Sequence, residues 1–167
     1  MALPPCGIYK TTLALPGREE EVPAQRLVYF HNHSEQGPPM VLLPKSNSHN
    51  RWTFHDRGYL IEGDAAPLFI TTMVSLPEEG LYVVQRTIQT GDGGIPARTL
   101  VQVGYNPSGH AILFPAQARD NGLTFPDRGT RFEALKVFDK LARAPFEAPL
   151  VEGESDDEEH PEPRILH

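Results

Sequence analysis

Residues 2–28, ALPPCGIYKTTLALPGREEEVPAQRLV, can be laid without a gap on residues 75–101, SLPEEGLYVVQRTIQTGDGGIPARTLV. Eight positions match: Leu3/Leu76, Pro4/Pro77, Gly7/Gly80, Tyr9/Tyr82, Pro23/Pro96, Ala24/Ala97, Leu27/Leu100 and Val28/Val101. Ile8/Leu81, Leu15/Ile88 and Val22/Ile95 are conservative pairs. After a two-residue change of offset, residues 40–58, MVLLPKSNSHNRWTFHDRG, fall on 111–129, AILFPAQARDNGLTFPDRG. Eight further identities appear there, among them Thr-Phe-x-Asp-Arg-Gly at 53–58 and 124–129. The 16 identities in 46 aligned pairs compare with about three expected by chance at ordinary residue frequencies. The sequence therefore reads as two copies of one unit, repeat 1 over about 2–74 and repeat 2 over about 75–147.

Each copy opens with Leu-Pro-x-x-Gly-[Ile/Leu]-Tyr, a turn that leads into an extended segment. Strand-like stretches follow at Ile8–Leu15 and Leu81–Ile88, then at Arg26–His31 and Thr99–Tyr105, then at Met40–Leu43 and Ala111–Phe114. A fourth strand ends each copy in Thr-Phe-x-Asp-Arg-Gly. Four short strands at roughly ten-residue spacing make an antiparallel meander. A single meander has one apolar face to cover, so two of them are expected to pack as one pseudo-twofold barrel or sandwich. Pro and Gly, 31 of 167 residues, agree with a turn-rich, mainly β chain.

Beyond Gly129 the copies read differently. Phe132, Leu135, Phe138 and Leu141 recur three residues apart between charged residues, which predicts one C-terminal amphipathic helix over 131–143. The matching stretch of repeat 1, 60–72, carries Gly63, Pro67 and a β-branched run, and reads as extended. Residues 1–147 thus form one duplicated β domain, followed by an acidic tail over 148–167 that reads as disordered. That tail carries −6 of the net charge of −7, leaving the body nearly neutral. The charge balance argues against nucleic acid as a partner, although a local basic patch on the body remains compatible with it. No apolar run reaches the ~20 residues of a membrane-spanning helix, and the N-terminus lacks the basic and apolar regions of a secretory signal, so a cytoplasmic location is expected.

The single cysteine, Cys6, excludes an intramolecular disulfide and a cysteine-based zinc site and reads as an incidental thiol. Positions kept in both copies are expected to serve the fold. In Asp56-Arg57-Gly58 and Asp127-Arg128-Gly129, Asp would close a turn, Gly would supply a positive φ and Arg would bridge to the other copy. The histidines behave oppositely: His31, His33, His49 and His55 all lie in repeat 1, and none recurs in repeat 2. His31 and His33 are two residues apart, which on a strand places both imidazoles on one face. Together with His49, His55 and the carboxylates Glu35 or Asp56, they would suit zinc, or iron in a two-histidine, one-carboxylate arrangement. The His-x-His spacing to Glu35 is one residue too short for a cupin. Gly91–Gly94 reads as a hairpin turn rather than a phosphate loop, and no serine sits in a nucleophile elbow. Trp52 reads as core.

The leading expectation is a non-enzymatic β module that binds a protein partner, through the acidic segment 152–162, or self-associates as a homo-oligomer, with no cofactor. The second is a metal-binding protein or metal-dependent enzyme that uses the histidines of repeat 1. A third is small-ligand binding in a cleft between the copies.

Overall fold

The computed structural model describes residues 3–35, 37–91, 93–145 and 164–165. The chain is mainly β, as its sequence indicates. The first half contains β1 (Gly7–Lys10), β2 (Leu27–His31), β3 (Met40–Ser48), β4 (Arg51–Leu60), α1 (Ala66–Thr72) and β5 (Val74–Ser75). The second contains β6 (Gly80–Val84), β7 (Leu100–Tyr105), β8 (Ala111–Pro115), β9 (Gln117–Arg119), β10 (Gly122–Thr124), β11 (Thr130–Phe132), α2 (Ala134–Phe138) and β12 (Leu141–Arg143). A last strand, β13 (Arg164–Ile165), pairs parallel to β4.

One sheet runs β13-β4-β3-β2-β1-β5 and the other β11-β8-β7-β6-β12, with β9 and β10 forming a separate hairpin. Both are antiparallel meanders in their central strands, consistent with an open sandwich; among the described residues neither sheet closes into a barrel. The two halves follow one path. In each, four strands pair in sequence order, a short helix follows, and a last strand returns to the edge of the first. The first hairpins keep the same register: Gly7 faces Phe30, and Gly80, 73 positions on, faces Val103. The loops match as well. Leu15 N–H donates to the Val22 carbonyl and Ile88 N–H to that of Ile95, while Gln25 and Arg98 both take a positive φ (59° and 68°).

The halves carry separate cores. Tyr9, Leu15, Val22, Val28, Phe30, Val41, Phe69 and Ile70 pack together in the first. Tyr82, Val84, Ile88, Val101, Val103, Leu113 and Val137 form the second, which also takes in Leu27 from the first half. The tip of the β3–β4 hairpin reaches across this seam. His49 and Asn50 both have positive φ (51° and 63°), the conformation a two-residue hairpin turn needs to match strand twist. Beyond the turn, the Trp52 indole N–H donates to the Tyr105 carbonyl at 2.7 Å, and Trp52, partly buried, packs against the second core at the seam. Gly93 and Gly94 have positive φ in the turn that closes Ile88 on Ile95, again as the sequence implies.

The helices depart from the sequence reading. Residues 66–72 are helical rather than extended. Pro67 lies in the first turn, where its missing N–H has no helical partner to lose. The Thr71 and Thr72 hydroxyls donate back to the Pro67 and Leu68 carbonyls at 2.8 and 2.9 Å, and Phe69 and Ile70 are buried. Conversely, the helix expected over 131–143 shrinks to Ala134–Phe138. Thr130–Phe132 pairs with β8 and Leu141–Arg143 with β6, because both sheet edges offer ladder groups that the flanking residues satisfy better than a helix would. The described residues thus hold two short helices, α1 and α2, rather than one. The stretch of the second half that corresponds to β4 is also broken: β10 pairs with β9 in the separate hairpin, β11 with β8 in the sheet, and Pro126, which stands where the first half has His55 and cannot donate to a ladder, lies between them.

The shared Asp-Arg-Gly has a different explanation from the one its sequence suggests. Neither Gly58 nor Gly129 has positive φ. A Cβ on Gly58 would overlap the Val41 carbonyl and the Leu42 side chain, and one on Gly129 would come within 2.6 Å of the Ile112 side chain and 2.7 Å of the Leu113 carbonyl. The glycines let two strands approach closely. Among the described residues neither Arg57 nor Arg128 forms an ion pair. Of the region read as a disordered acidic tail, 148–163 lies outside the described residues; Arg164 and Ile165 pair with Arg57 and Gly58 and are strand. No helix among the described residues is long and apolar enough to cross a membrane.

Candidate functional site

β1 and β2 are antiparallel with Gly7 opposite Phe30, so the next step of the ladder sets Cys6 opposite His31. His33 follows two positions later, and the two imidazoles meet edge to face with ring centroids 4.2 Å apart. The ligand-capable atoms of Cys6, His31 and His33 all lie within 4.8 Å of one another. Two ligand atoms on one tetrahedral zinc stand roughly 3.3–3.7 Å apart, so small side-chain rotations bring these three onto one ion.

The thiol is placed by its loop. The Tyr9 hydroxyl donates to the Pro5 carbonyl at 2.9 Å and pins the residue before Cys6. Tyr82 does the same to Glu78 at 2.7 Å in the second half, where it follows the same Gly-[Ile/Leu] pair. The position after the pinned carbonyl is Cys6 in one half and Glu79 in the other. Glu79 is buried, accepts the Trp52 backbone N–H at 2.9 Å and leaves its second oxygen without a partner. Burial pushes its carboxyl above the ordinary range, against the Trp52 hydrogen bond and the nearby Arg51. Cys6 instead is exposed.

Asn32 organises the group around it. Its backbone N–H donates to Cys6 Sγ at 3.4 Å, and its Oδ1 accepts from the thiol at 3.2 Å and from His33 Nδ1 at 2.7 Å. Donation from Nδ1 leaves the Nε2 lone pair of His33 for a metal, the usual outer-shell role of such a carbonyl oxygen. His31 Nδ1 is buried with no hydrogen-bond partner, a polar atom whose desolvation nothing on the described chain offsets. Tyr29 lies 6.3 Å from His31 between ring centroids. Burial, then the neighbouring Cys6 and Glu78, raise its phenol above the ordinary range.

The four histidines named from the sequence thus divide. His31 and His33 come together, with Cys6 as their third member, while His49 and His55 are outside the group. His49 sits at the hairpin turn with Nδ1 3.0 Å from the Ser48 hydroxyl, and His55 is exposed in β4. Glu35 and Asp56 are exposed and also outside it. Cys6 thus lies beside the two imidazoles, and one thiol with two imidazoles reopens the cysteine-containing zinc site that the cysteine count was taken to exclude. Its signal in the sequence was its place one step before a strand whose partner ends at His31. Comparison with family models, with curated proteins and with solved structures found no match.

Proposed function

We propose that this chain is a metal-binding β module that holds zinc through Cys6, His31 and His33, on a scaffold made by tandem duplication of a four-stranded meander. The observation that carries the reading is the convergence of the three donors around Asn32. Thiolate and imidazole are the donors of zinc sites, and three protein ligands leave a fourth position open. The group has no carboxylate, which favours zinc or copper over the two-histidine, one-carboxylate iron arrangement. Duplication is supported by the shared path, register and tyrosine contact of the two halves.

Titration of untagged protein with cobalt(II), an optical stand-in for zinc, tests it. One equivalent should bind with a thiolate-to-cobalt charge-transfer band. Cys6→Ser should abolish the band, and His31→Ala and His33→Ala should each weaken binding at least tenfold. His49→Ala and His55→Ala should leave it unchanged. Absence of the band in the parent protein, or equal loss in His49→Ala, overturns the assignment.

One observation favours a second reading, protein binding or self-association. β13 adds to the outer edge of β4 through backbone pairing, the way sheets take up extended peptides. The same edge would accept this segment from a second copy, making a homo-oligomer. The acidic segment 152–162 lies outside the described residues. Sedimentation velocity over a hundredfold concentration range tests the reading, and a monomer throughout removes the self-association.

A further inference from the structure

Away from Cys6, the two halves line an open cleft of about 370 Å³ where β1 meets α2 and the β7–β8 turn. Its apolar surface comes from Val74 and Leu76, and two lysines line it, Lys10 from β1 and Lys136 from α2. This volume falls in the range of small-molecule sites.

Lys10 is held in place. Gly109 has φ +70° and lies directly beneath its aliphatic stem: a Cβ there would come within 3.0 Å of Lys10 Cβ and Cγ. The turn that carries Gly109 is itself fixed. Asn106 Oδ1 accepts the backbone N–H groups of Ser108 and His110 at 3.1 and 2.9 Å, and Leu27 N–H donates to the Pro107 carbonyl at 2.9 Å across the seam. On the opposite wall, Glu133 stands 3.1 Å from His110 Nε2, and the Lys136 backbone N–H donates to the Glu133 carbonyl. Glu133 is the one carboxylate among the described residues that lines the cleft, and it is thus engaged by His110. Among the described residues neither lysine is in ion-pair distance of an acid.

We infer that this cleft binds a small organic anion with an apolar body. Its charged head lies between Lys10 and Lys136, and its hydrocarbon part rests on Val74 and Leu76. Two ammonium groups over an apolar floor match that chemistry: each gives the head a charge-assisted hydrogen bond, and the floor removes the body from water. The inference is independent of the metal site.

The full-length protein is titrated with 1-anilinonaphthalene-8-sulfonate, an apolar anion that fluoresces when bound, and with the neutral N-phenyl-1-naphthylamine. The sulfonate should bind one site per chain. Lys10→Gln and Lys136→Gln should each weaken it about tenfold, with the neutral probe changed less than twofold and the melting temperature retained. Absence of a saturable site, or equal weakening of both probes, overturns the proposal. So does a tenfold gain in sulfonate affinity on neutralising Asp156, Asp157, Glu158 and Glu159, which would make the chain's own acidic segment the occupant.

Discussion

The Tyr9 hydroxyl donates to the carbonyl of Pro5 at 2.9 Å, and this one bond fixes the loop from which Cys6 faces its two imidazoles. Tyr9→Phe should therefore cost about 1 kcal/mol of stability and also weaken metal binding. Tyr82→Phe should cost about as much stability, since Tyr82 makes the same contact to Glu78, but leave metal affinity unchanged. Urea unfolding of the metal-free proteins and cobalt titration separate the two effects. Equal metal affinity in both variants would disconnect the tyrosine contact from the site.

Asn32 touches Cys6 and His33 without being placed among the ligands. Asn32→Ala should lower metal affinity roughly 10–100-fold while the metal-free melting temperature stays within a few degrees. Because protons compete for the same lone pairs, affinity should fall as the solution is acidified in parent and variant alike. A competition assay with a chromophoric chelator reads both.

In the shared Asp-Arg-Gly, the glycine carries the structural role. Gly58→Ala and Gly129→Ala should each destabilise by about 1–3 kcal/mol as neighbouring backbone and side chains are forced apart. Asp56→Ala and Asp127→Ala, at exposed positions, should stay within about 0.5 kcal/mol. Chemical denaturation of the four variants tests the contrast, and a larger loss at the aspartates would reverse it.

Glu79 is raised by burial, so the folded state holds its proton more tightly than the unfolded state does. That contribution to stability is complete below the unfolded carboxylate range and is lost as pH rises through the folded value. Glu79→Gln keeps an oxygen for the Trp52 N–H and has no proton to lose. Its stability relative to the parent should therefore improve as pH rises from 4 to 8, as read from melting temperatures across that range. Parallel curves would show that Glu79 does not titrate against the fold.

The mainly β meanders were legible because Leu-Pro-x-x-Gly-[Ile/Leu]-Tyr and Thr-Phe-x-Asp-Arg-Gly mark chain positions where geometry admits few residues: a tyrosine bound four residues back, a glycine packed close under neighbouring backbone. His31 and His33 were legible because strand alternation is local. Cys6 was not, since it lies on the far strand of a ladder that joins residues 17 to 23 positions apart. α1 escaped notice because Pro67 reads as a breaker until its place in the first turn is known. The apolar spacing of 131–143 suggested a helix, although its two ends serve different strand partners, β8 and β6.

The hairpin tip that crosses the seam has a kinetic consequence. Asn50 donates to Gln102, Gln102 to the His49 carbonyl and Trp52 to the Tyr105 carbonyl, each joining residues more than fifty apart in the chain. These three bonds need β7 in place, so the arm is expected to close on it late, after both meanders. Contacts made after the transition state govern escape from the native state rather than entry to it. Asn50→Ala should steepen loss of the native state in the unfolding limb of a chevron and leave the folding limb in place. The clasp would then set how long the assembled molecule persists, while the two meanders set how fast it is made.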